Sequence, residues 1–136
     1  LDIDFMLVSN SSLPEQSRYL SNTELVTVVG NLLENAIEAT NVIPGDDLRV
    51  VTLQITEDEK GLLIMVSDTG EGIADEILPR IFEPGFSTKA SRGRGVGMRR
   101  IKDIVDSHGG TIDVDTEPGS GTTFTIIFSQ KRGGSL

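Results

Sequence analysis

Gly93-Arg94-Gly95-Val96-Gly97-Met98 sets three glycines at every second position, inside a basic run and at the head of an apolar helical pattern. Without a Cβ in the way, backbone N–H groups can close in on an anion. The helix expected over Val96 to Ser107 adds its own unpaired amides and the positive end of its dipole. Six of the 12 basic residues (Lys89, Arg92, Arg94, Arg99, Arg100 and Lys102) fall between positions 89 and 102, where there is no Asp or Glu. In a chain of net charge −9, such a patch suits a polyanion such as a nucleoside triphosphate. A solvated, lipid-facing or partner-facing basic helix is the plainer alternative, and the adjoining glycines favour the phosphate.

The rest of the composition narrows the class. The chain has 136 residues and 37% hydrophobic content spread along its length, enough for one domain with its own core. Acidity argues against a nucleic-acid partner. There is no cysteine, hence no disulfide or thiolate chemistry. No apolar run approaches the roughly 20 residues of a membrane span, and no signal peptide is visible. A chain that starts at Leu1 instead of Met is expected to be a piece of a longer protein.

Working outward from the glycines, Ile3, Phe5 and Leu7 alternate as in a strand. Ser9 to Ser21 is polar and reads as a loop. A helix is expected from Glu24 to about Thr40, capped by Asn22 or Thr23, with Leu25, Val28, Val29, Leu32, Leu33, Ala36 and Ile37 as its core stripe. Pro44 to Asp47 is a turn. Leu48 to Ile55 and Leu62 to Ser67 form a hairpin with its tip at Glu57 to Gly61. A short helix interrupted by Pro79 is expected over Asp75 to Phe82, then a mobile loop over Glu83 to Arg94. Gly109-Gly110 stops the glycine-led helix. Thr111 to Asp115 and Thr122 to Phe128 follow as strands around the turn Pro118 to Gly121. Residues 1–130 make one domain, and Lys131 to Leu136 a tail. The sum is a two-layer α/β sandwich, with a mixed, mostly antiparallel sheet and helices on one face.

Two polar constellations interrupt this pattern. Asn31, Asn35 and Glu38 share one helix face at spacings of four and three. Their oxygens suit Mg²⁺, which takes one or two protein ligands and the rest from phosphates and water. An ordinary solvent face explains the spacing equally well. Asp68-Thr69-Gly70-Glu71-Gly72-Ile73 follows a strand. Its acid can accept a hydrogen bond from a purine amine while the glycines let backbone approach the ring. Asp and Gly are also common in plain strand-ending turns.

Together the pieces are specific. Asn31 to Ala36 resembles the N box of the ATP-binding catalytic domain of sensor histidine kinases, and Asp68 to Ile73 its G1 box. Phe82 to Lys89 resembles the F box, Gly93 to Met98 the G2 box and Gly119 to Phe124 the final glycine box. They stand in the family's order over nearly the whole chain, which is similar to the GHKL superfamily with its Bergerat fold. The wording of Thr27 to Ala39, with Ser87-Thr88-Lys89, is closest to the citrate and C4-dicarboxylate sensor kinases.

The resemblance implies roles residue by residue. Asn35 is a Mg²⁺ ligand, and Asn31 a second ligand or phosphate contact. Asp68 takes the adenine amine, with Gly70, Gly72 and Ile73 beside the ring. Thr88, Lys89 and Arg94 reach the phosphates from a lid, and Gly95, Val96, Gly97 and Met98 bring the helix start to them. Asn35, Lys89 and Arg94 serve the transfer itself. Thr122 supports Asp68 by a hydrogen bond, direct or through water. The ligands implied are ATP and Mg²⁺. The implied partners are a helical dimerisation domain of the same parent, which carries the phosphoacceptor histidine, and a response regulator. The resemblance further implies a cytoplasmic domain, monomeric alone, of a dimeric, membrane-anchored parent.

One departure from the wider superfamily matters. Gyrase- and Hsp90-type ATPases place a Glu four residues before the metal asparagine, where this chain has Asn31. An amide is no general base, so transfer is favoured over hydrolysis. A hydrolysing GHKL module and an anti-sigma-type serine kinase are the rival classes, and both usually carry an acid there. Thr69 stands where sensor kinases more often have Asn.

Overall fold

The structure, a computed structural model, describes residues 4–9, 16–41, 49–83 and 95–129. Five strands form one sheet in the order β1-β2-β3-β5-β4: β1 (Asp4–Ser9), β2 (Val50–Glu57), β3 (Gly61–Asp68), β4 (Thr111–Glu117) and β5 (Gly121–Ser129). β1 runs parallel to β2, and every other pairing is antiparallel. Two helices, α1 (Asn22–Asn41) and α2 (Gly95–Ser107), pack on one face.

The pairing register explains which face. Leu53, Val66 and Phe124 lie in one cross-strand row, and Ile64 and Ile126 in the next. With period-two alternation these rows point the same way. They meet Val28, Leu32 and Ala36 of α1 and Met98, Ile101 and Val105 of α2. The stripe read from the sequence is thus the core stripe, with Leu25, Val29, Leu33 and Ile37 packed at its margin.

Some boundaries differ from expectation. α1 starts at Asn22 and its cap is Ser21, not Asn22 or Thr23. The Ser21 hydroxyl accepts from the Glu24 N–H (3.1 Å), and the Glu24 carboxylate accepts from the Ser21 N–H (2.9 Å). This reciprocal capping box is written in Ser21-Asn22-Thr23-Glu24. The expected helix over Asp75 to Phe82 shrinks to one 3-10 turn, Leu78–Arg80, with Pro79 among its first residues. Glu57, read as part of the hairpin tip, ends β2 and is 3% exposed. The Ser17 hydroxyl (2.6 Å) and Arg18 N–H (3.1 Å) supply its carboxylate with partners, which makes that burial tolerable. The turn at Pro44 to Asp47, the loop after Glu83 up to Arg94 and the tail at Lys131 to Leu136 lie outside the described residues.

Candidate functional site

Asp68 ends β3 at the edge of the core and is 7% exposed. Its carboxylate accepts from the Gly70 N–H at 2.8 Å and from the Thr122 backbone. Burial outweighs these two bonds, and the nearby Glu71 charge adds to it, so the carboxyl is pushed up to about 6. The structure also gives Thr69 a role. Its hydroxyl accepts from the Val50 N–H (2.8 Å), closing the end of the β2–β3 ladder without touching Asp68's bonds.

The loop after Asp68 is fastened on two sides. The Glu71 N–H donates to the carbonyl of Ala39 on α1 (3.3 Å), and the Glu71 carbonyl accepts from Gly119 in the β4–β5 turn (2.7 Å). Gly72 has φ 76°, and a Cβ there would sit 2.3 Å from the Glu117 carbonyl oxygen, so only glycine fits. Thr116, which sequence reasoning passed over, is the hub. Its hydroxyl accepts from the Ile73 N–H (2.9 Å), donates to the Gly121 carbonyl (3.2 Å) and pairs with the Thr122 hydroxyl (2.8 Å). Thr122 therefore reaches Asp68 through its backbone, while its hydroxyl goes to Thr116.

The other end of the site lies where α1 meets the start of α2. A Cβ on Gly97 would come 3.0 Å from Asn31 Oδ1, and the Asn35 amide donates to Met98 Sδ. Asn31, Asn35 and Ala39 lie at i, i+4 and i+8 on α1, a face about 12 Å long. One end of that face touches the first turn of α2 and the other the loop after Asp68. Glu38 is half-buried on the same helix.

The structure thus brings together Asn31, Asn35, Gly97 and Met98, and separately Asp68, Gly70, Gly72, Ile73 and Thr122, along one helix. Gly95 and Val96 open α2 as expected. Thr88, Lys89 and Arg94 lie outside the described residues. Of the basic run, Arg99, Arg100 and Lys102 lie within the described residues. Arg99 pairs with Asp103 (3.1 Å) and Lys102 with Asp106 (3.0 Å) along α2. Arg99 also donates to the Phe82 carbonyl (3.4 Å), tying α2 to the 3-10 segment. Among the described residues, no group of three or more His, Cys, Asp or Glu gathers as a metal site.

A family model described as histidine kinase-, DNA gyrase B- and HSP90-like ATPase matches residues 21–132. The chain belongs to that family. A probable C4-dicarboxylate sensor kinase of Bacillus subtilis is 34% identical over 132 residues, 96% of this chain and 24% of that protein. The sensor histidine kinase DcuS of Escherichia coli K12 is 40% identical over 121 residues, 89% of this chain and 22% of that protein. Full-length ShkA, solved in complex with AMPPNP, superposes with TM-score 0.72 at 26% identity, covering 93% of this chain and 25% of that one. The chain spans about a quarter of the length of the curated relatives it matches. No described helix is long and apolar enough to cross a membrane.

Proposed function

We propose that residues 1–130 form the Mg²⁺-ATP-binding catalytic domain of a sensor histidine kinase. It would present the γ-phosphoryl group to a histidine on a separate helical domain, for relay to a response regulator. The observation that carries this reading is the α1 face made by the side chains of Asn31 and Asn35 and the backbone carbonyl of Ala39. It runs from the first turn of α2 to the loop of a buried acid, a separation on the scale of a nucleotide from its phosphates to its base.

In this reading Asp68 accepts the exocyclic amine of adenine, held by the Gly70 and Thr122 amides, with Gly72 and Ile73 against the ring. The α2 amides at Gly95, Val96 and Gly97 face the phosphates, and Lys89, Arg94 and Thr88 complete that end. Asn35, with Asn31 beside it, would hold Mg²⁺, whose charge would offset that of the phosphate oxygens. An amide donor set suits that hard ion, which keeps most of its ligands from phosphate and water. Transfer then rests on positioning and charge neutralisation. Asn31 cannot take a proton from water, which disfavours hydrolysis. The relatives are named as sensor kinases and are about four times as long as this chain, which supports a longer parent with further domains and a response-regulator partner. That parent would be dimeric and membrane-anchored, with this domain in the cytoplasm.

Asn35→Ala tests the metal assignment. Calorimetry on the wild type should show tighter ATP binding with Mg²⁺ than with EDTA. The variant should lose that difference, keep its thermal melt, and fail to label the parent's helical domain from γ-labelled ATP. Normal labelling by Asn35→Ala would remove Asn35 from the metal.

A further inference from the structure

A second polar junction lies at the far end of the helix pair. His108 follows α2 at its C-cap: the Gly109 N–H donates to the Asp106 carbonyl and the Gly110 N–H to the Val105 carbonyl, the pair of bonds that closes a Schellman ending. His108 Nε2 lies 2.9 Å from Glu24 Oε2, 84 residues away in the chain. The imidazole also stands edge-on to Phe128 of β5, with ring centroids 6.1 Å apart and planes at 87°. Glu24 is the same residue that caps α1 with Ser21, and its carboxyl is lowered chiefly by the His108 bond. The His108 side chain therefore joins the start of α1, the end of α2 and the last residues of β5.

That junction bears on the ligand end. Apolar contacts of Met98, Ile101 and Val105 hold α2 to the core but are non-directional, so they do not by themselves fix its position along its axis. Directional bonds do: Arg99 to the Phe82 carbonyl and the Asn35 amide to Met98 Sδ near its start, and His108 to Glu24 just past its last residue. α2 is 13 residues long, and a rigid helix transmits a shift of one end to the other. At that other end Gly97 stands close against Asn31, where a Cβ would come 3.0 Å from Oδ1. A small slide of α2 there changes the distance between its amides and the Asn31–Asn35 face.

We infer that His108, through its bond to Glu24, is a positioning residue that sets the phosphate-binding start of α2 against Asn31 and Asn35. The inference rests on the nucleotide reading above and deepens it. Asp68 and its loop are fastened independently, through Ala39, Thr116 and Gly119, so the base end does not depend on the clamp.

The test compares Mg²⁺-ATP with adenosine on the 136-residue chain, by calorimetry at a temperature where circular dichroism shows each variant folded. His108→Phe keeps an aromatic ring on Phe128 and deletes the bond. Glu24→Ala breaks the pair from the other side, so the result does not depend on one variant folding. Both should weaken ATP about two- to tenfold, the range of one ordinary hydrogen bond, and leave adenosine unchanged. The double variant should be no worse than the weaker single, as for two halves of one interaction. His108→Gln, which can still bond Glu24, should recover most of the loss. Wild-type ATP affinity in both breaking variants would overturn the inference, as would equal losses for ATP and adenosine. A wild-type chain that binds neither ligand would overturn the nucleotide reading and this inference with it.

Discussion

Burial takes the Asp68 carboxylate out of water at the end of β3, and the amides of Gly70 and Thr122 offset only part of that loss. A carboxyl raised to about 6 in the folded state binds more protons than its unfolded counterpart between about pH 4 and pH 6. Folding is therefore favoured at low pH by this group, and the advantage is gone once the pH rises past 6. Asp68→Asn keeps the acceptor oxygen and removes the charge. It should raise thermal stability at pH 7.5, by up to about 3 kcal/mol, and the gain should shrink as the pH falls toward 4. Melting curves across that range check it, and a variant less stable at pH 7.5 would mean the charge serves the fold. Asp68 was legible because an acid stood between a strand and two glycines. Thr116 was not. Its hydroxyl matters only because the fold brings Ile73, Gly121 and Thr122 around it, and no local pattern marks that meeting.

At the scale of elements, the loop after β3 and the β4–β5 turn act as one piece through Gly72 and Gly119. Gly72→Ala must find room for a methyl 2.3 Å from the Glu117 carbonyl in a left-handed backbone. It should cost about 1–3 kcal/mol of stability and most of the ATP affinity, read by chemical denaturation and calorimetry. The helices were legible from their apolar period and the strands from alternation. The cap at Ser21 was legible too, in the spacing Ser21 to Glu24 that outranks Asn22 and Thr23, whereas the burial of Glu57 was not, since it depends on Ser17 forty residues away. α2 also separates His108 from the phosphate end by roughly 18 Å, against a reacting distance of about 3–3.5 Å. The chain alone, given γ-labelled ATP and Mg²⁺, should acquire no acid-labile label. Label that disappears in His108→Gln would make His108 an acceptor.

Over the whole molecule, α1 and α2 lie antiparallel on a single sheet, and their polar contacts divide between two ends. Asn31, Asn35, Gly97 and Met98 meet at one, and Glu24 and His108 at the other. Sequence order alone suggested that the glycine-led helix, the asparagine face and the buried acid belong together. The basic run reads as one phosphate patch because its cations are adjacent in the chain, and Lys89, Arg92 and Arg94 of it lie outside the described residues. Helical spacing gives Arg99 and Lys102 acids of their own one turn on.

The central claim is a nucleotide bound with its base at Asp68 and its phosphates at the start of α2. Calorimetric titration of the wild type and Asp68→Asn with Mg²⁺-ATP tests it most directly. The account predicts that the wild type binds and that Asp68→Asn loses about 1.5–3 kcal/mol, the worth of a hydrogen bond to a charged group. ATP affinity in Asp68→Asn equal to that of the wild type would contradict it.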